Sequence, residues 1–237
     1  MKSIISSFKL MLTYVRKDMM LFVVCIVPLL IGSVFKYAIP VLEKLLTNYF
    51  TVPILFPYYE LFDLLFSVIT STMFCFAAAM VVLEEVDEHI AGYLAITPLG
   101  KQGYLIARLG IPTLISFITT IILLMVFGLT KMNMGMLIFV ALSGTLQGLI
   151  IGLLIVTFST NKLEGMAVTK LSSLLIVGIC IPYYIKSNFI YILSPLSTFW
   201  MTKAVREGSF TGAILTLLIS FLWFYILIKK FERKISK

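Results

Sequence analysis

Six runs of apolar residues follow one another along the chain, separated by short polar or proline-containing segments. They cover residues 19–39, 61–83, 109–129, 134–158, 168–186 and 210–228. Each run is long enough for a helix, rising 1.5 Å per residue, to cross roughly 30 Å of hydrocarbon. The pattern therefore predicts an all-α membrane protein with six transmembrane helices.

A stretch of mixed character, residues 3–17, precedes the first run. Apolar residues recur there near helical spacing, at Ile4, Ile5, Phe8, Leu12 and Val15. Most polar residues lie off that stripe, among them Ser7, Lys9, Arg16 and Lys17. The spacing predicts an amphipathic helix in the cytoplasmic interface, and the alternative is an extended, tilted start to the first span.

Composition supports one polytopic membrane domain over residues 1–237. The chain is 60% hydrophobic and 13% charged, whereas soluble domains average roughly 45–50% apolar and about 25% charged residues. The formal net charge is +8. The basic residues lie at the ends of apolar runs and do not form a stripe interleaved with aromatics, so we expect a lipid bilayer and no nucleic acid as partner.

The distribution of Lys and Arg predicts the orientation. With both termini in the cytoplasm, thirteen basic residues lie inside: Lys2, Lys9, Arg16, Lys17, Lys101, Arg108, Lys162, Lys170, Lys229, Lys230, Arg233, Lys234 and Lys237. Six lie outside: Lys36, Lys44, Lys131, Lys186, Lys203 and Arg206. Cytoplasmic loops carry the excess of positive charge in membrane proteins, which favours this arrangement.

Motifs for chemistry are scarce. Gly100-Lys101 is followed by Gln102 and lacks an upstream glycine, so the phosphate loop of an ATPase is missing. His89 is the only histidine, and the three cysteines show no metal-ligand spacing. We therefore expect no metal, no cofactor and no catalytic residue in this chain.

Spans two and four carry polar residues inside the bilayer region. They are Ser67, Thr70, Ser71, Thr145 and Gln147. One interpretation is that they line a translocation path. The other is that they bond to their own helix or to a neighbouring one, as hydroxyls in helices commonly do.

Three glycines, Gly144, Gly148 and Gly152, stand four residues apart in span four. This spacing leaves one face without side chains and allows a second helix to approach closely. The partner helix belongs either to the same chain or to a second copy, and we favour packing within the chain.

The loop before span six, residues 187–209, is too apolar for a simple solvated linker. Its residues either form broken half-helices around Pro195 that dip into the outer leaflet, or anchor the loop as an aromatic belt.

The segment between spans two and three is the most informative part of the chain. Four carboxylates, Glu84, Glu85, Asp87 and Glu88, give way to a short apolar-sided stretch that ends at Thr97-Pro98. Proline disfavours helix in the residue before it. The pattern predicts a short helix held at the cytoplasmic face, and a solvated acidic loop is the alternative.

This segment resembles that of the membrane subunits of type-two ABC exporters, the permeases of bacterial drug, bacteriocin and polysaccharide export. The match is carried by Asp87-Glu88, then Gly92, then Leu94-Ala95-Ile96-Thr97-Pro98-Leu99. Further support comes from Lys17-Asp18 before span one, Pro28 within it, and Leu193-Ser194-Pro195-Leu196 before span six.

The resemblance implies that residues 84–99 form a coupling helix seated in a groove of a separate ATPase, which holds ATP and Mg. The implied coupling residues are Glu84, Glu85, Asp87, Glu88, Gly92, Tyr93, Leu94, Ile96, Thr97, Pro98 and Leu99. It further implies outer half-helices before span six, and a working unit of two permease subunits, as homodimer or heterodimer, with two ATPases.

The function implied is outward movement of an amphipathic or hydrophobic substrate, such as a peptide, drug or lipid-like molecule, across a bacterial plasma membrane by alternating access. The alternative is a self-contained six-span protein without an ATPase: a carrier, an intramembrane enzyme or a peptide-immunity protein.

Overall fold

The computed structural model describes residues 2–88, 90, 100–185 and 188–235. Every regular element in these ranges is a helix. Six helical segments are long and apolar enough to cross a membrane: Met19–Phe50, Phe56–Asp87, Gly103–Phe127, Met134–Phe158, Lys162–Tyr184 and Phe210–Lys234. They are called spans one to six below. The predicted all-α membrane fold with six spans is confirmed.

The N-terminal helix, Lys2–Lys17, is separate from span one because the helical backbone is interrupted at Asp18. Asp18 has an extended backbone, with φ −85° and ψ 104°, and its side chain accepts hydrogen bonds from the backbone N–H groups of Met20 and Leu21. An aspartate in this position satisfies donors that have no partner within the helix. The N-terminal helix is therefore an element of its own and not an extension of span one.

The inward face of this helix differs slightly from the predicted stripe. Met11 and Val15 are buried and Phe8 packs beside them, whereas Ile5 and Leu12 are exposed. The helix thus rests on the bundle through one narrow face and leaves part of its apolar surface for the lipid interface.

Span one is longer than predicted. Its helix, Met19–Phe50, continues through Pro40 and ends at Thr51, which adopts a left-handed conformation with φ 57°. Thirty-two residues span about 48 Å, more than the roughly 30 Å of hydrocarbon. The chain then folds back, because the Glu43 carboxylate accepts a hydrogen bond from the Leu55 backbone N–H at 2.7 Å. Residues 40–50 lie beyond the predicted end of span one at residue 39 and are a helical extension of it.

Spans two and four form the centre of the bundle. Their helices are Tyr59–Asp87, preceded by a 3-10 turn at Phe56–Tyr58, and Met134–Phe158. In the most apolar stretch of each of these two spans, 78% and 67% of the residues are buried. The corresponding shares are 17% for span one and 22% for span six. The outer spans therefore present most of their apolar surface to lipid or to another subunit.

Spans three and five are irregular. Span three is built from Gly100–Leu105, a π-helical stretch at Ile106–Gly110 and the α-helix Ile111–Phe127. Span five comprises Lys162–Ser172, a 3-10 segment at Ser173–Ile176 and Val177–Tyr184. Span six is the uninterrupted helix Phe210–Ile235. Single π-helical turns inside α-helices are frequently associated with functional sites.

The outer segment before span six has two helical pieces around Pro195. A 3-10 helix, Asn188–Leu193, precedes it, and the α-helix Ser197–Glu207 follows. The Pro195 carbonyl accepts a hydrogen bond from Trp223 Nε1 at 3.0 Å. Trp223 lies about 13 residues, or about 20 Å, from the N-terminal end of span six. The turn at Pro195 therefore reaches the middle depth of the bundle.

Candidate coupling site and mid-membrane cavity

A buried ion pair joins the end of span two to the start of span three. Arg108 Nη2 lies 2.5 Å from Glu85 Oε1, and Arg108 Nε donates to Glu85 Oε2 at 2.9 Å. The side chains of Arg108 and Glu85 are 0% and 4% exposed. The pair is bidentate, the arrangement in which an arginine holds a carboxylate most firmly.

Two more hydrogen bonds complete this network. The Tyr104 hydroxyl donates to Glu85 Oε2 at 2.9 Å, and Arg108 Nη1 donates to the Ser7 carbonyl at 2.5 Å. The network, defined by Glu85, Tyr104, Arg108 and the Ser7 carbonyl, connects span two, the start of span three and the N-terminal helix. Both chain ends that flank residues 88–100 are therefore attached to one buried cluster.

A second, more exposed cluster lies at the same end of the bundle. Lys162 Nζ lies 3.2 Å from Asp18 and 3.1 Å from Glu84. Burial by itself raises the pKa of Asp18, but the hydrogen bonds from Lys162 and from the backbone N–H groups of Leu21 and Met20 outweigh it and lower that pKa below its ordinary value. Lys162 thus ties the start of span one, the end of span two and the start of span five together.

The predicted coupling residues fall into three groups. Glu84 pairs with Lys162, Glu85 is buried, and Asp87 and Glu88 are exposed. The others lie outside the described residues: Gly92, Tyr93, Leu94, Ile96, Thr97, Pro98 and Leu99. The Glu85 carboxylate is occupied within the chain, so it is not free to pair with a basic residue of another protein. Asp87 and Glu88 are exposed and form no salt bridge with another described residue.

Sequence reasoning counted Arg108 and Lys162 only as cytoplasmic charges and did not single out Tyr104. A signal was present in the sequence, because Arg108 immediately precedes an apolar run and a charge at such a position requires a counter-charge. The acidic cluster at residues 84–88 was the nearest source of one.

The polar residues of span two lie in the packed interfaces of the bundle. Ser67 Oγ donates to the Val140 carbonyl of span four at 3.0 Å. The hydroxyls of Ser71 and Thr120, in spans two and three, are 3.1 Å apart. Both serines are fully buried. In this arrangement they hold helices together, and a role in a translocation path stays a prediction.

The remaining predicted path residues differ from one another. Thr70 is fully buried, and its hydroxyl has no partner among the described residues. Thr145 donates to the Leu142 carbonyl of its own helix at 2.8 Å. Gln147 accepts a hydrogen bond from the Ser197 hydroxyl at 2.7 Å. Gln147 also lines the cavity described below.

The glycines of span four face span two of the same chain. A Cβ at Gly148 would lie 2.7 Å from the backbone of Ser71, and one at Gly152 would lie 3.2 Å from the Cys75 carbonyl. Gly144 faces Ser67 in the same way. The helix backbones approach closely at these positions because no side chain stands between them.

A cavity of about 300 Å³ lies between spans four, five and six and the turn at Pro195. Its wall includes Gln147, Ile150, Leu154, Ser172, Leu175 and Trp223. Among the described residues, no group of three or more His, Cys, Asp and Glu could hold a metal ion. Seven of the ten residues that line the cavity are apolar, so it is suited to an apolar or amphipathic molecule.

The six spans define a polytopic membrane protein. Sequence comparison identifies the family to which it belongs. The chain matches the family described as "Fluoroquinolones export permease protein Rv2686c-like" over residues 11–229. It belongs to that family of export permeases. The resemblance found from the sequence motifs is confirmed.

Two relatives from Mycobacterium tuberculosis are similar to this chain. They are named fluoroquinolones export permease protein Rv2686c, from strain ATCC 25618 / H37Rv, and MT2760, from strain CDC 1551 / Oshkosh. Each is 30% identical over 161 residues, which cover 65% of this chain and 63% of the relative's length. No solved structure matches the chain.

Proposed function

We propose that this chain is the membrane permease subunit of an ATP-driven exporter, and that residues 84–99 contact a separate ATPase. Family membership supports the permease role. The observation that carries the coupling role is the buried Glu85–Arg108 pair, which attaches both ends of residues 88–100 to the bundle.

The proposed mechanism follows from this attachment. A force on residues 88–100 reaches spans two and three together, because the bidentate pair and the Tyr104 hydroxyl hold these spans to each other. The Ser7 carbonyl adds the N-terminal helix to the same unit. ATP, bound with Mg in the partner, drives the ATPase subunits together and moves this unit, which shifts the bundle between inward-open and outward-open populations.

The exposed acidic residues Asp87 and Glu88 are the proposed polar contacts with the ATPase. Exposed ion pairs contribute only about 0–1 kcal/mol each. The apolar residues Leu94, Ile96 and Leu99, carried over from the resemblance, therefore supply most of the docking energy in this proposal.

The proposed substrate is a hydrophobic or amphipathic molecule of drug size, moved outward across a bacterial plasma membrane. Two relatives are named as fluoroquinolone export permeases, and the described cavity is lined mostly by apolar side chains. A second permease subunit completes the working unit and covers part of the exposed apolar surface of the outer spans.

Affinity purification of the tagged chain from its native membrane, with mass spectrometry and an ATPase assay, tests the proposal. We expect a soluble ATPase in stoichiometric amount, which is lost when Gly92 is replaced by Trp or Leu94 by Asp. The bundle of each variant should keep the melting temperature of the wild type. A chain that purifies intact, alone and without ATP hydrolysis would favour a self-contained carrier or an immunity protein.

A further inference from the structure

The cavity lies at the middle depth of the bundle. Gln147 is about 13 residues from the outer end of span four and Trp223 about 13 residues from the outer end of span six, which places both about 20 Å from the outer ends. Ser172 and Leu175 line it at the point where span five changes from α-helix to 3-10 helix.

The outer segment forms one wall of this cavity. Pro195, Leu196 and Ser197 line it. Ser197 is fixed to span four by its bond to Gln147 at 2.7 Å, and the Pro195 carbonyl is fixed to span six by Trp223 at 3.0 Å. The turn that reaches in from outside is therefore hydrogen-bonded to both spans that face it.

The chemistry of the wall indicates the kind of ligand. Four of the ten lining residues are aliphatic side chains of spans four and five, namely Ile150, Leu154, Leu171 and Leu175. The Trp223 indole also lines the cavity and is oriented by its hydrogen bond to the Pro195 carbonyl. The amide oxygen of the buried Gln147 side chain accepts a hydrogen bond from Ser197, and this amide is one of the few polar groups in the wall. A ligand with both an apolar body and a hydrogen-bonding group matches a wall that combines apolar side chains with the Gln147 amide.

We propose that this cavity binds a planar aromatic amphiphile of drug size, with its ring against Trp223 and a polar edge on Gln147. A volume of about 300 Å³ is at the lower end of the range found for small-molecule sites. The site is formed by one subunit alone. The claim that this cavity holds the exported substrate rests on the proposed function. Binding itself requires neither an ATPase nor a second subunit.

Tryptophan fluorescence provides the test, because the chain contains only Trp200 and Trp223. Replacement of Trp200 by Phe leaves Trp223 as the only indole. This protein, in lipid nanodiscs without ATPase or ATP, is titrated with norfloxacin as the probe. We expect saturable quenching of Trp223 emission.

Two neighbouring serines supply a matched pair of variants. Ser172 is buried and lines the cavity, whereas Ser173 is exposed. Ser172→Leu fills the cavity and should weaken norfloxacin binding at least tenfold, while Ser173→Leu should change it less than twofold. Gln147→Leu removes the polar contact and should weaken binding about three- to tenfold, the effect of one neutral hydrogen bond.

The outcomes separate the site from the exporter function. Equal quenching in the Ser172→Leu and Ser173→Leu proteins, both folded, would overturn the site even if an ATPase copurifies. Lipids with brominated acyl chains provide a second probe of Trp223. If they quench its emission, if Ser172→Leu removes this quenching and if norfloxacin does not reverse it, the cavity binds lipid. That result would also overturn the proposed site. If norfloxacin binds saturably but no ATPase copurifies with the chain, the site is supported and the exporter proposal fails.

Discussion

Glu85, at the C-terminal end of span two, and Arg108, at the start of span three, form a bidentate ion pair that is almost completely buried. The pair brackets residues 88–100, which include most of the segment proposed to contact the ATPase. Its burial distinguishes it from the half-buried Lys162 pairs nearby, because a fully buried charge that loses its partner remains unsolvated.

Removal of one partner of this pair should strongly destabilise the bundle. We expect Arg108→Met or Glu85→Leu to cost about 3–5 kcal/mol, because each leaves an uncompensated buried charge. Thermal unfolding in detergent measures this. Asp87→Asn, an exposed acid on the same helix, is the control and should be nearly neutral.

The double variant Glu85→Leu/Arg108→Met tests whether charge is the cause. It should recover most of the stability lost by either single variant, since two apolar groups leave no charge unpaired. Additive losses in the double variant would contradict this explanation.

Replacement of Asp18 should separate its helix-capping role from its charge. Asp18→Ala loses the hydrogen bonds to Met20 and Leu21 and should cost about 0.5–2 kcal/mol. Asp18→Asn keeps a capping side chain and loses only the charge facing Lys162, so we expect a cost below about 1 kcal/mol.

The pH dependence of Asp18 has a definite sign. Its pKa is lowered in the folded protein, by hydrogen bonds that outweigh burial, so its ionised form stabilises the fold above the ordinary pKa of 3.8. The stability difference between wild type and Asp18→Asn should stay constant from about pH 7 to 5 and shrink as pH falls below about 4. A difference that grows on acidification would contradict the assignment.

Gly148 should be the least replaceable glycine of span four. A methyl group there would lie 2.7 Å from the Ser71 backbone, which cannot move aside as a flexible side chain can. We expect Gly148→Ala to cost about 1–3 kcal/mol through overpacking. Gly135→Ala, in the same helix, meets nothing within 4 Å and is the matched control. Equal melting temperatures for the two variants would refute the close approach of spans two and four.

The sequence predicted the features that depend on local pattern. Run length identified six spans, and the break before span one is encoded by Asp18. The extension of span one to Phe50 was missed because Pro40 and the charges at Glu43 and Lys44 end the apolar run without ending the helix. The length of a helix and the length that crosses the bilayer are separate properties. Hydropathy indicates only the length that crosses the bilayer.

The pairing of Glu85 with Arg108 was not predicted, because nothing in the sequence fixes the distance across the intervening turn. The cavity was missed for a related reason. Gln147, Pro195 and Trp223 come from three separate elements, and only tertiary packing brings them together. Sequence reasoning named Gln147 and Pro195 but had no means to connect them.

ATP-dependent transport tests the central claim most directly. The permease, purified with its ATPase and placed in liposomes, is supplied with ATP and norfloxacin on the ATPase side, and accumulation inside is measured. We predict accumulation that requires ATP hydrolysis and is abolished by Gly92→Trp while that variant keeps the wild-type melting temperature. Accumulation by the permease alone, without ATPase or ATP, would contradict the account.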